Sequence, residues 1–395
     1  MGQSLKGVRI IELGQIIAGT YGGQILSDMG AEVIKVESPT GDLGRNPSVA
    51  PFKGASGLFL TFNRNKKSIV IDLKKEEGKV VFLELIKNAD VVVDNFRPGV
   101  LKRLGIDYPE LYRANPKIIH CSITGFGSEG DYKDYPALDI IIQAISGHMA
   151  ITGEDGRPPV RLGIPLADLS GGLFSSQGIL AALYEREKTG KGQHIELAMF
   201  DAMLSLLTYL GTMWLNNAEL PKPPGSAHEY SVPWQAFKTK DSYVVVAARE
   251  ESHWKNFCRS LGLDQIAQDE RYANNFLRVK NRLVLIPILE ARMAEETTEY
   301  WMSKFRIDDV PASPVNHFDQ AFSEPPAIQN HTVVEHEHPQ LGRVRYPAYP
   351  VKMGNAEVIS TPAPELGEHT GSVLQDILNY STEQIEELKK LGIVK

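Results

Sequence analysis

From residue 7 to residue 124 the chain alternates short apolar runs with amphipathic helical patterns. That alternation is the strongest constraint on its fold. GVRIIEL (7–13) reads as a buried strand, GQIIAGTYGG (14–23) as a glycine-bearing loop and QILSDMG (24–30) as a short helix ending at Gly30. AEVIKVE (31–37) reads as a second strand, which completes a β-loop-α-β unit, the opening of a doubly wound sheet. KKSIVIDL (66–73), DVVVDNF (90–96) and KIIHCSI (117–123) read as further strands, with EEGKVVFLELIKNA (76–89) as an amphipathic helix between two of them. Parallel strands with helical crossovers bind ligands beyond their carboxyl ends. The loops Gln15–Gly19, Asn95–Gly99 and Gly125–Gly130 are therefore expected to share one edge.

Beyond residue 200 the pattern changes. LSLLTYLGTMWLNN (204–217) is helical and PKPPGS (221–226) is a proline-rich link. WQAFKTKDSYVVVAA (234–248) reads as two strands around a Lys240-Asp241-Ser242 turn, opening a smaller α+β domain whose helices run from about Ser252 to Phe305. Residues 325–364, rich in Pro and His, read as an extended connector, and TEQIEELKKLGI (382–393) closes with a helix. The expected organisation is a large domain over 1–200 completed by 365–395, a helical linker over 201–226, a small domain over 227–325 and a return linker over 326–364.

The 395 residues, 42% of them apolar, suffice for two cores. A net charge of −7 argues against a bulk electrostatic grip on nucleic acid. Cys121 and Cys258 cannot make a disulfide framework and suit a reducing compartment. No apolar run approaches the length of a membrane span, the start has no signal-like apolar region, and Lys6 stands where a myristoylation motif wants Ser or Thr. The expectation is a cytoplasmic protein, or a matrix protein if a transit peptide has been removed, with no nucleic-acid or membrane partner.

GFGSEG (125–130) matches G-x-G-x-x-G after a strand, but DYKDYP follows it instead of a helix, so an ordinary strand-end loop is expected. His120, His148 and His194 lack metal-ligand spacing, His336 and His338 lie on an exposed connector, and no metal site is expected. No G-x-S-x-G elbow is present. In DNFRPGVLKRLG (94–105), Arg97 and Arg103 can present guanidinium groups to phosphates, with Lys66, Lys67, Lys74 and Lys75 adding charge. A solvated basic face is the alternative. Asp168, in GIPLADLSGG (163–172), stands alone among apolar and glycine residues at the start of a helical pattern. It suits a helix cap, and it suits a nucleophile shielded from water.

Together, GAEVIKVESP (30–39), FNRNKKSIVIDLK (62–74), DNFRPG, CSITGFG (121–127), LADLSGG (166–172) and EREKTGKGQHIELAMFDA (185–202) resemble the class III coenzyme A transferases, the family of formyl-CoA and carnitine CoA transferases, over nearly the whole chain. The resemblance implies an α/β fold: a Rossmann-like large domain plus a smaller α+β domain, in an interlocked ring-like homodimer. It implies that CoA passes from an acyl-CoA donor to a carboxylic acid through aspartyl anhydride and aspartyl-CoA thioester intermediates, with Asp168 as nucleophile. CoA is then a substrate, and no cofactor is needed. The implied CoA contacts are Ile17, Ala18, Ile71, Lys74, Asn95, Phe96, Arg97, Arg103, Leu138 and Asp139. For the developing oxyanion, backbone N–H groups near Gly171 and Gly172 are the expected donors. Three positions depart from the pattern. Ser38 follows Glu37 where many members carry Arg. Leu138 stands where the α-methylacyl-CoA racemase branch carries His. VVVAAREESHW (244–254) lacks the glycine run of the formyl-CoA transferases, so formyl or oxalate specificity is not expected. The small domain most resembles the succinyl-CoA:glutarate enzymes, and Arg249 is the expected contact for a dicarboxylate's distal carboxylate. The alternatives are a racemase-like enzyme and a non-catalytic CoA-binding protein.

Overall fold

The chain folds as two compact units, Met1–His148 with Arg161–Glu219 and Gln329–Lys395, and Met149–Val160 with Leu220–Ile328. The computed structural model describes residues 4–217, 219–352 and 360–395. Residues 149–160, read from the sequence as part of the large domain, belong to the second unit.

The first unit is built on a six-stranded sheet. Its strands are β1 (Arg9–Glu12), β2 (Glu32–Glu37), β3 (Lys66–Val70), β4 (Val91–Asp94), β5 (Ile119–Thr124) and β6 (His194–Ala198). They run in the order β3-β2-β1-β4-β5-β6, and every pair is parallel. Side chains alternate between two cores. Ile10, Val33, Val91, Val93, Ile119 and Cys121 face one; Ile11, Ile34, Val36, Ile69 and Val92 face the other. Burial on both faces is why these strands read as near-continuous apolar runs. Helix α1 (Ala18–Asp28) and helix α4 (Leu166–Thr189) cover the first face. Helix α2 (Glu76–Lys87) covers the second, together with Val373, Leu374 and Ile385 from the C-terminal helices. Chain order reverses at β1, which lies between β2 and β4, and ligands bind at such a switch point.

Three sequence expectations change. Strand β6 was not read as a strand. Among the described residues it pairs with β5 alone, and its half-exposed pattern gives a weak signal. The expected loop over residues 14–23 becomes helix from Ala18 onward. Its glycines are there for contact: a β-carbon on Gly22 would come within 2.5 Å of Ser175 Oγ, and one on Gly172 within 2.7 Å of the Tyr21 ring. The expected connector over 325–364 contains an antiparallel hairpin, Val333–His338 with Gly342–Pro347, which buries Val344 and Tyr346 against Phe59 and Leu60. Residues 353–359 of that connector lie outside the described residues.

The chain end returns to the outer strand. Ile71 bridges Val394, and Asp72 N–H donates to Ile393 O at 2.8 Å. In the second unit Trp234–Lys238 and Tyr243–Ala247 pair antiparallel about the expected turn, with Ala312–Pro314 as a third strand. Trp254, Phe257, Trp301 and Phe305 fill its core. Among the described residues no helix is long and apolar enough to cross a membrane.

Candidate active site

Asp168 lies in the first turn of α4, the crossover helix between β5 and β6. Such a helix starts at the carboxyl edge of the sheet. A β-carbon on Gly171, one turn later, would be 3.5 Å from both Ala18 Cβ and Ile123 Cγ2, so the N-termini of α1 and α4 lie side by side there. The expected capping role does not belong to Asp168. Helix α3 (Asp139–Ile145) supplies the cap: Asp139 Oδ1 accepts from Ala167 N–H at 2.9 Å and from Asp168 N–H at 3.5 Å. The buried Gln143 amide fixes that carboxylate at 2.6 Å and accepts Leu162 N–H at 2.9 Å, tying the preceding loop to the same point.

The carboxylate of Asp168 has no hydrogen bond or ion pair among the described residues and is half-buried. Burial, then repulsion from Asp139, raises its pKa to about 7. An acid with no structural partner, held at a helix start and poised between its two protonation states, is suited to chemistry. The expected oxyanion contribution of Gly171 and Gly172 is not compatible with their position. Both lie inside α4, where their N–H groups belong to the helix ladder, and Gly172 lies against α1.

The three expected loops follow β1, β4 and β5 at one edge of the sheet. Two are joined directly: Gln15 N–H donates to Asn95 Oδ1 at 2.8 Å, and Asn95 Nδ2 donates to Gln15 O at 2.9 Å. Ile17 is the residue before α1 and Ala18 opens it, with no side chain capping that helix. Phe96 N–H is held by Asp94 Oδ1 at 3.0 Å. Sequence reasoning missed Ile16. It has φ 64, it is 37% exposed, and no residue type announces it. A left-handed conformation costs a β-branched residue about 1–2 kcal/mol, and strain of this kind clusters at functional sites.

Arg97, Arg103 and Lys74 are exposed, and their charged groups carry no ion pair among the described residues. Arg97 follows β4 and Lys74 follows β3. Three strand spacings separate those positions, about 14 Å along the edge. Ile71 is buried at the same end of β3, where its N–H binds Glu37 O. Ser38 bonds Thr40 at 2.9 Å and brings no cation to the position where many family members have Arg. Leu138, 66% exposed before α3, offers no proton carrier for a racemase. The GFGSEG loop runs on to α3 without a helix, as expected, and Ser128 Oγ is anchored to Glu196 at 2.9 Å.

Arg249 is exposed in the second unit, after the strand Tyr243–Ala247. Among the described residues its guanidinium pairs with neither Glu250 nor Glu251, and Glu251 bonds the buried Arg278 at 2.8 Å. Arg278 also holds Arg249 O at 2.7 Å and Val232 O at 2.8 Å, fixing the backbone of that loop. His120 binds Asp94 at 2.7 Å and stacks on His194 at 4.9 Å. No group of His, Cys, Asp and Glu suited to a metal ion exists among the described residues.

The model of CoA-transferase family III matches residues 5–370. A human protein named succinyl-CoA:glutarate CoA-transferase is 38% identical over 99% of this chain and 90% of its own length. An Acetobacter aceti protein named acetyl-CoA:oxalate CoA-transferase is 36% identical, over 94% of this chain and 95% of its own. The crystal structure of a CaiB/BaiF family protein from Brucella suis superposes with a TM-score of 0.86 at 34% identity, covering 95% of this chain and all of that one. With the family model matched over most of the chain and relatives aligned over nearly all of it, the chain belongs to CoA-transferase family III.

Proposed function

We propose that this CoA-transferase moves CoA from succinyl-CoA to a dicarboxylate through Asp168. The observation that carries the reading is the Asp168 carboxylate: unpartnered, half-buried and raised to about 7 at the start of a helix that another acid caps. The ionised carboxylate attacks the thioester carbonyl, the C–S bond breaks, and a mixed anhydride forms with release of CoA thiolate. The thiolate attacks the aspartyl carbonyl of the anhydride, which releases succinate and leaves an aspartyl-CoA thioester. The acceptor carboxylate attacks that thioester, the C–S bond breaks and a second mixed anhydride forms with release of CoA thiolate. The thiolate then attacks the acceptor carbonyl of the anhydride, giving the new acyl-CoA and freeing the Asp168 carboxylate. Every step exchanges one acyl bond for another, so no cofactor is required and water must be excluded.

CoA lies along the carboxyl edge of the Rossmann-like sheet in this reading. Arg97, Arg103 and Lys74 meet its phosphates, while Ile17, Ala18, Ile71, Asn95, Phe96, Leu138 and Asp139 line its path. Unpaired cations along the edge support that assignment. A homodimer is supported by apolar side chains left exposed on the first unit, among them Leu138 at 66%, Ile140 at 45% and Leu215 at 75%. The reducing environment that suits two free, buried cysteines supports a cytoplasmic setting. The glutarate-named relative supports a dicarboxylate acceptor, and the oxalate-named one keeps the shortest dicarboxylate among the candidates.

The test is a panel of acceptors with succinyl-CoA as donor: oxalate, glutarate, longer dicarboxylates and butyrate. Glutarate should give the highest kcat/KM, and Asp168→Ala should abolish transfer to every acceptor. A preference for butyrate would remove the dicarboxylate reading. Transfer by the Ala variant would remove Asp168.

A further inference from the structure

Beneath the turn that joins β1 to α1 lies a cluster of buried charges. Lys35 Nζ meets Glu12 Oε1 at 3.1 Å, Asp42 Oδ2 at 2.8 Å and Gly14 O at 2.6 Å. Lys66 Nζ meets the other oxygen of Glu12 at 2.7 Å. All four side chains are essentially shut off from solvent. A buried ion cluster is weak evidence of stabilisation, because taking the charges out of water offsets much of their attraction. The bonds that leave this cluster point to what it does. Asp42 Oδ1 accepts the N–H of Ile16 at 3.1 Å and of Gly44 at 2.7 Å. Ile16 is the residue at φ 64. Its carbonyl is held from the other side by Thr20 Oγ1 at 2.8 Å, and Lys35 holds Gly14 O two residues earlier. The turn is thus gripped on both flanks of its strained residue, and the grip faces the interior while the Ile16 side chain is exposed.

We infer that Asp42, held by Lys35, is a positioning residue for substrate binding: it keeps Ile16 in the left-handed conformation and so sets Gly14–Ala18 and the N-terminus of α1 against the acyl-CoA. This rests on the reading that CoA lies along the carboxyl edge. Glycine populates positive φ freely, whereas isoleucine needs an external hold to stay there. Replacing Ile16 by Gly should therefore relieve the loss of Asp42, a response that general destabilisation of the core would not give.

The experiment measures KM for succinyl-CoA and kcat on the full chain, with folding followed by circular dichroism. Lys35→Met/Asp42→Leu removes one charge of each sign and the acceptor. It should raise KM at least about tenfold, the scale of one lost hydrogen bond to a charged group. Lys35→Met/Asp42→Asn keeps an acceptor for Ile16 N–H and should bind substrate better than the Leu variant by at least about fivefold. Adding Ile16→Gly to the Leu variant should recover most of the loss. Should the Leu variant not fold, Ile16→Pro leaves the buried charges intact, deletes the N–H and forbids positive φ. It should raise KM in the same way. A folded Leu variant with wild-type KM, a loss that Ile16→Gly does not relieve, or an Ile16→Pro variant with wild-type KM would each overturn the inference. Arg97→Ala is the control for the underlying site. If it leaves KM unchanged, the placement of CoA is what fails. If it raises KM while the Asp42 and Ile16 variants do not, the latch alone fails.

Discussion

Asp139 caps the helix that carries Asp168, with its Oδ1 2.9 Å from Ala167 N and 3.5 Å from Asp168 N. One acid therefore does the structural work at this helix start, and its charge helps to keep the other protonated to about pH 7. With Asp168 as the proposed nucleophile, transfer would need its ionised form, so kcat should rise as pH rises through about 7. Asp139→Asn retains an acceptor for the helix but removes the repulsion. It should move the acid limb of the kcat profile to lower pH, whereas Asp139→Ala should also lose helix stability of about 0.5–2 kcal/mol. An unmoved limb in the Asn variant would show that Asp139 does not tune Asp168.

The same carboxyl should govern stability. Its folded pKa lies above its ordinary value, so ionisation opposes folding. That penalty is present in full above about pH 7 and fades as pH falls from 7 towards 4. Asp168→Asn should therefore melt higher than the parent at pH 8, by the equivalent of roughly 1–3 kcal/mol after solvent screening, and the gap should shrink steadily towards pH 5. Thermal denaturation at both pH values checks this. A gap that widens on acidification would contradict the raised pKa.

Arg103→Ala and Arg97→Ala should each weaken CoA by roughly 1.5–3 kcal/mol, since on the proposed binding path each would remove charge-assisted bonds to phosphate. Calorimetry with CoA and 3′-dephospho-CoA separates the phosphates. Equal affinity of the wild type for both would show that no basic residue here reads the 3′-phosphate.

Arg249 is exposed, and its guanidinium carries no ion pair among the described residues. Arg249→Ala should lower kcat/KM for glutarate far more than for butyrate, because only the dicarboxylate has a distal charge to lose. Equal losses on both acceptors would remove Arg249 from specificity.

Strands β1 to β5 were legible because burial on both faces makes each an apolar run. Strand β6 was not, since an edge strand with one half-exposed face looks like many other segments. The glycines of 19–23 read as loop because a sequence records the missing side chain and not the helix packed against it. Asp168 stood out by its motif. Its release from capping did not, because Asp139 lies 29 residues earlier and only the fold brings the two together. Ile16 was the least legible: its N–H is held by Asp42, 26 residues away.

On the proposed mechanism the acyl group and then CoA pass through the Asp168 carboxylate. The most direct measurement incubates the enzyme with succinyl-CoA, quenches it in hydroxylamine and maps the peptides by mass spectrometry. The expected product is a hydroxamate on Asp168, dependent on succinyl-CoA and absent from Asp168→Asn. An enzyme that turns over under the same conditions with Asp168 unmodified, or with the hydroxamate on another carboxylate, would contradict it.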